Sequence, residues 1–193
     1  MIKVIDFVSI KDSEQDFSLN IQNELQYEIG NNNARVSESC NVEYLNTSSF
    51  ISDMQSCDAF IVMAHGGNFG YDTGIQINDV GGNSTPVIIY GSDISNTDLS
   101  NLKIAVFLSC SVGGELDNRA SDNLIEAVVA AGADVAIGFN RTIYTASAKS
   151  WILSFFNALI NNYTVEDALE IASVHISLDC VEACGDLNAS LFE

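Results

Sequence analysis

The chain has 193 residues, 47% of them hydrophobic in type, with 13 Gly and 1 Pro; this suits one medium domain with a sizeable core and excludes disordered and fibrous classes. Seven Lys and Arg against 26 Asp and Glu leave a net charge of −19, too few cations to displace counterions from nucleic-acid phosphates or to hold an anionic membrane surface. No run of about 18 apolar residues offers to span a bilayer, the opening Met1–Asp12 turns polar too early for a secretory signal, and the five cysteines are an odd number, so the expectation is a reduced, cytosolic, soluble protein.

Strands and helices alternate along the chain. Ile2–Val8, apolar but for Lys3 and Asp6, predicts a buried strand. Phe17, Ile21 and Leu25 recur every four residues and predict a helix ending near Gly30, followed by a turn at Asn31–Asn33. Val42–Leu45 is a weak strand, and Ser48 or Ser49 is placed to cap a short helix that turns Phe50, Ile51 and Met54 inward. Ala59–Ala64 is a strong buried strand.

The stretch His65–Leu102 differs: it is rich in Gly, Asn, Asp and Ser and holds the single proline, Pro86. Gly74–Ile77 and Val87–Tyr90 are its β-like pieces, which predicts a hairpin or mobile excursion with few buried contacts over one edge of the core. Lys103–Leu108 is the next buried strand. Leu124, Ile125, Val128 and Val129 form a helical stripe that stops at Gly132, in a helix starting near Asn118. Val135–Phe139 is a fifth strand, and Trp151, Ile152, Phe155, Phe156, Leu159 and Ile160 make a helix too apolar for the surface. Thr164–Asp167 resembles a capping box opening a last helix through about Ile176. Leu178–Glu193 reads as an acidic, irregular tail, so the domain is drawn at residues 1–177 with a tail at 178–193. The alternation predicts a three-layer α/β sandwich, a mainly parallel sheet in the order 2-1-3-4-5 with helices on both faces, flavodoxin-like or caspase-like.

In such sheets the active crevice lies at the carboxyl ends of the strands. The third strand runs out into Met63-Ala64-His65-Gly66-Gly67 and the fourth into Phe107-Leu108-Ser109-Cys110-Ser111. If the two strands are neighbours, about 4.8 Å apart, an imidazole and a thiol meet across one crevice, the minimum equipment for nucleophilic acyl transfer. A helix starting soon after Cys110 would favour its thiolate. Gly66, lacking a side chain, lets its N–H approach a substrate carbonyl, and with the Cys110 N–H it makes a candidate oxyanion hole.

An apolar strand ending in His-Gly, then forty-five residues later a strand ending in Ser-Cys, resembles the caspase-like cysteine peptidases, which include caspases, metacaspases, clostripain, gingipain, separase and the CHAT domains. Downstream, Cys110-Ser-Val-Gly113, Ala-Gly132-Ala-Asp-Val-Ala-Ile-Gly138, an aromatic helix and Thr164-Val-Glu-Asp-Ala-Leu169 follow the course of a CHAT domain most closely. The resemblance implies a cysteine endopeptidase in which His65 and Cys110 form the catalytic dyad and Gly66 lends an oxyanion N–H. It also implies a protein or peptide substrate, a regulatory protein partner, and no metal or organic cofactor for the chemistry. Asp72, Asp79 and Asp93 in the excursion offer carboxylates to Ca²⁺, which some relatives hold, but in no recognised ligand spacing.

The chain also departs from the family. Leu108, Ser109, Ser111 and Val112 replace the caspase Gln-Ala-Cys-Arg-Gly neighbours, and Leu108 stands where clostripain-like enzymes carry an acid. An aspartate-specific pocket needs clustered arginines, and only Arg35, Arg119 and Arg141 exist. Asp12, after the first strand, is the candidate substrate-pocket acid. The expectation is a basic or neutral residue before the cut, not aspartate.

Taken alone, a strand-end cysteine is ordinarily a small core hydrophobe, so the alternative is a non-catalytic caspase-like module that binds a partner protein. A nucleotide binder fits less well, because Ser9–Ser13 after the first strand is no Gly-rich phosphate loop. His175 reads as a core or rim histidine, Cys40 and Cys57 as packing residues, and Cys180 with Cys184 lacks the second pair a zinc site needs.

Overall fold

The computed structural model describes residues 2–29, 34–69, 72–79, 85–113 and 123–192. The chain opens with β1 (Lys3–Ile10), α1 (Gln22–Ile29), β2 (Ala34–Val42), α2 (Thr47–Gln55) and β3 (Ala59–Met63). An inserted antiparallel set follows, β4 (Gly66–Phe69), β5 (Asp72–Gln76) and β6 (Ile88–Tyr90), closed by the single turn α3 (Gly91–Ile94). The main layers resume with β7 (Ile104–Leu108), α4 (Leu124–Ala130), β8 (Val135–Phe139), α5 (Thr145–Ile160) and α6 (Val165–Ala172), and a 3₁₀ turn leads into β9 (Val181–Gly185).

The main sheet has the order β2-β1-β3-β7-β8-β9. Its first five strands are parallel and stand in the expected 2-1-3-4-5 order. Strands β3, β7 and β8 are buried along their whole length, because helices cover both faces and a continuous apolar run is the pattern such strands require. Successive side chains divide between two cores: Ile61, Val106 and Ile137 face α1, α5 and α6, while Phe60, Val62, Phe107 and Ala136 face α2, α3 and α4.

Several elements differ from their sequence reading. The first helix starts at Gln22, so Phe17 lies outside it. Its start is set from afar: Glu38 on β2 accepts hydrogen bonds from the N–H groups of Ile21 and Gln22, both at 2.9 Å, and so caps the helix end. The second strand is Ala34–Val42 rather than Val42–Leu45; as an edge strand it is mostly half-buried or exposed and carries little apolar signal. Asn46, not Ser48 or Ser49, caps α2, its side chain accepting from the Ser49 N–H at 3.0 Å. Helix α4 is capped by Asn123, and α6 ends at Ala172 rather than near Ile176.

Two larger corrections concern the excursion and the tail. Strands β4, β5 and β6 form a sheet of their own, and Ile75, Ile77, Ile89, Ile94, Leu99 and Leu102 are fully or almost fully buried, so the segment is well anchored to the core. Its polar composition misleads because these few apolar residues are enough to anchor it. The supposed irregular tail supplies β9, which pairs antiparallel with β8 from Val135↔Gly185 to Phe139↔Val181. Beyond it the chain returns to α6, with Val165 N–H donating to Ala189 O at 3.1 Å, and buries Leu191. Among the described residues no helix is long and apolar enough to cross a membrane.

Candidate active site

Strands β3 and β7 are hydrogen-bonded neighbours with Met63 opposite Leu108, so the residues just beyond them meet at one corner. After Leu108 the chain turns sharply: Ser109 N–H donates to Phe107 O at 2.8 Å, and Ser111 takes a left-handed φ of 56°. A non-glycine residue in that region is uncommon and strained, and such strain gathers at functional sites. The turn lifts Cys110 off the strand. Its Sγ is half-buried and lies 3.9 Å from Ile143 O, on the chain leaving β8.

Gly66 packs directly on this turn. A Cβ built there would stand 2.7 Å from Cys110 O, 2.8 Å from Ser109 Cβ and 2.8 Å from Val112 Cγ1, so only glycine fits. His65 O accepts from Gln76 N–H at 2.9 Å, which makes that pair a hydrogen-bonded position of the β4–β5 ladder. Gly66, opposite Ile75, therefore falls on the alternate position, and its N–H is turned away from β5. Both N–H groups expected for an oxyanion hole thus belong to one corner, with the Gly66 donor not consumed by its own sheet.

His65 is held from two sides. Its Nε2 is hydrogen-bonded to Asp12 Oδ2, and its ring meets Phe17 edge to face with centroids 4.9 Å apart. Asp12 is itself fixed, since its Oδ1 accepts from the N–H groups of Glu14 at 2.7 Å and Gln15 at 3.3 Å, a side-chain-closed turn. With Nε2 engaged, Nδ1 is the ring nitrogen left for chemistry.

His65 and Cys110 border one cavity of about 380 Å³ at the carboxyl ends of the strands. The rest of its wall comes from the β1–α1 loop (Gln15, Phe17), the ends of β3 and β7 (Met63, Leu108) and the β8–α5 loop (Thr142 to Thr145). None of these described wall residues is an acid or an arginine. The Asp12 carboxylate, expected to serve a substrate pocket, is placed instead on the imidazole. Phe17, read as a helix residue, and the 142–145 loop had no site signal in the sequence. Phe17 owes its four-residue spacing from Ile21 to burial in a loop.

The remaining candidates lie elsewhere. Asp93 accepts from the Tyr90 N–H at 2.9 Å as a helix cap, Asp79 binds Ser13, and the side chain of Asp72 falls outside those described. Among the described residues no three potential metal ligands cluster. Arg141 pairs with Asp179 at 3.2 Å, Arg35 sits on β2, and Arg119 lies outside the described residues. His175 is exposed, rimming a groove between α1 and α5.

No protein-family model and no curated protein matches the chain. Solved structures do share its fold. The Arg-specific cysteine proteinase gingipain R superposes on 96% of the chain with a TM-score of 0.66 at 12% identity. Two structures of the Saccharomyces cerevisiae separase–securin complex superpose on 96% with TM-scores of 0.55 and 0.57 at 9% and 11% identity. The chain spans 47% of the gingipain chain and 12% of each separase chain. Its architecture is the caspase-like fold of these cysteine proteinases.

Proposed function

We propose that the protein is a cysteine endopeptidase working through a His65–Cys110 dyad. The observation that carries this reading is that imidazole and thiol share one cavity, with the imidazole fixed by Asp12 and Phe17. Cys110 thiolate attacks the scissile carbonyl carbon, and the carbonyl π pair moves to oxygen, where the Gly66 and Cys110 N–H groups receive it. Collapse expels the amine, which takes its proton from His65, and leaves a thioester on Cys110. Water, giving its proton to His65, then displaces the thiol and releases the carboxylic acid. Asp12 keeps the ring in the orientation that presents Nδ1. The course of the chain after Cys110 supports kinship with the CHAT branch of the caspase-like peptidases.

The residue before the cut is neutral or basic, not aspartate. The described cavity wall offers no arginine to pair a carboxylate, and the net charge of −19 repels acidic peptides. Fluorogenic peptides that differ only in that residue test both statements at once. Turnover of neutral or basic peptides, abolished by Cys110→Ala, is the expected result. Faster turnover of the aspartate peptide overturns the specificity. No turnover of any peptide, with Cys110 no more reactive than Cys40, overturns the activity and leaves a partner-binding module.

A further inference from the structure

Asp12 can orient His65 only if its own turn is held in place, and the residues on both sides of Asp12 are fastened to one buried carboxylate. Asp79, just beyond β5, is 8% exposed. Its Oδ1 accepts from the Ser13 backbone N–H at 3.4 Å and from Ser13 Oγ at 3.3 Å. Its Oδ2 lies 4.0 Å from Lys11 Nζ, which also reaches Glu43 Oε1 at 3.2 Å. Asp79 is not part of the cavity wall, so it serves the site only through other residues.

The place from which Asp79 comes matters as much as its contacts. It follows β5 of the same inserted sheet that begins at Gly66, directly after His65. That sheet grips His65 through the Gln76 N–H bond to His65 O. Next to Asp79, Asn78 accepts from the Val87 N–H at 2.7 Å and donates to Thr85 O at 3.0 Å, while Gln76 Nε2 donates to Asn78 O at 2.8 Å. The strand end carrying Asp79 is thus braced on its own account. The imidazole and the carboxylate that orients it are both referenced to one rigid body, His65 through the chain and Asp12 through Asp79. A carboxylate so little exposed costs free energy unless its contacts return it, and among those contacts are the ones to the two neighbours of Asp12.

We propose that Asp79 is a positioning residue of the dyad: through Ser13 and Lys11 it fixes the Asp12 turn and so fixes the His65 imidazole. The kinetic side of this inference rests on the peptidase reading; the structural side does not. The chain has two histidines, so ¹⁵N labelling of the imidazoles reports His65 directly and exposed His175 serves as an internal control. Asp79→Ala moves the His65 ring resonances toward those of Asp12→Ala and leaves those of His175 in place. It lowers kcat on the order of 10-fold to 100-fold with KM nearly unchanged, as a misplaced catalytic group does. Asp79→Asn, which keeps an acceptor for Ser13, restores both readouts in large part. Should Asp79→Ala fail to fold, the Ser13→Ala, Lys11→Met double variant gives the same reading. His65 resonances that stay at their wild-type positions in the folded variant overturn the proposal. If the wild-type protein cleaves no peptide yet the His65 resonances still move, the positioning role stands and the peptidase reading alone falls.

Discussion

The two ends of the parallel sheet treat the same residue types in opposite ways. At the carboxyl end Cys110 and His65 are held by neighbours and border a cavity. At the amino end, beneath α2, Cys57 is 5% exposed, its Sγ 3.6 Å and 3.7 Å from the Asp53 and Met54 carbonyl oxygens. Burial pushes the Cys57 thiol far up, and the charges of Asp6, Asp58 and Asp53 add to the effect. Tyr44 nearby donates to Asp53 at 2.6 Å, and its phenol is likewise pushed up by burial and by that bond. Asp58 spends its polar atoms on strand starts, accepting from the Val4 N–H at 2.8 Å and, at its carbonyl, from the Lys103 N–H at 2.7 Å. Polar groups at one end close the structure on itself; at the other they leave a thiol and an imidazole facing a cavity. Residue type alone therefore says little about reactivity, and strand end says much.

The contrast breaks most visibly at the dyad. Cys110→Ala removes the nucleophile and is expected to abolish turnover, while His65→Ala lowers it by about 10²- to 10⁴-fold, the range for losing a general acid–base. Circular dichroism and thermal unfolding close to wild type accompany both losses, since neither side chain is part of the core clusters. Loss of activity in Cys57→Ala to the same degree would erase the distinction between the two ends.

Gly66→Ala gives a smaller effect, on the order of 10²-fold in kcat, because the new methyl meets the Cys110 carbonyl and forces the oxyanion corner apart. Overpacking of this kind also costs roughly 1–3 kcal/mol of stability. A crystal structure of the variant with an unmoved corner and full activity would show that Gly66 is a packing residue only.

Thiol labelling compares the two ends directly. Iodoacetamide modifies Cys110 quickly, and His65→Ala slows that reaction. Cys57 reacts slower on the order of 10²-fold or more, because the chain must open before the reagent enters. Exposed Cys40, whose sulfur meets Ser18 and Glu38, supplies the reference rate of a surface thiol. Equal rates at Cys110, Cys57 and Cys40 would mean that the two ends do not differ chemically.

Much of the carboxyl end was legible in the sequence, for a physical reason. β3 and β7 are covered on both faces, so they stand out as apolar runs, and the first polar residues after them mark where the chain leaves the sheet. Neighbouring parallel strands then bring His65 and Cys110 together. The supports of the site were illegible because they come from irregular chain. Asp12 stands out in the sequence as an acid after the first strand, a candidate for the substrate pocket, but its partner is a ring 53 residues away, which no local pattern encodes. Phe17 carries a false helical period, because the start of α1 is set by Glu38 from another strand, a contact no local pattern encodes. β9 was missed since an edge strand buries only half of each residue, and Glu182 and Gly185 within it read as tail.

The smallest expected effect belongs to the amino end and concerns stability. Asp6 on β1 accepts from Ser37 Oγ at 2.8 Å. Burial raises its carboxyl above the ordinary 3.8; the charge of Asp53 pushes the same way, and the Ser37 bond and Arg35 pull back only partly. The folded chain therefore holds this proton more tightly than the unfolded one. The stabilising contribution is fully present below pH 3.8 and is lost as pH rises through the higher folded value. Asparagine cannot ionise and keeps the acceptor for Ser37, so Asp6→Asn raises Tm at pH 7 by roughly a few °C, and the advantage disappears as the pH falls below 3.8. Peptidase turnover stays at the wild-type level, since Asp6 is remote from the cavity wall. Scanning calorimetry at pH 7, 5 and 3 reads the convergence. A variant less stable than wild type at pH 7 would mean that the Asp6 carboxylate is held by Arg35 and Ser37 more strongly than burial penalises it, and the amino end would then depend on its charges rather than tolerate them.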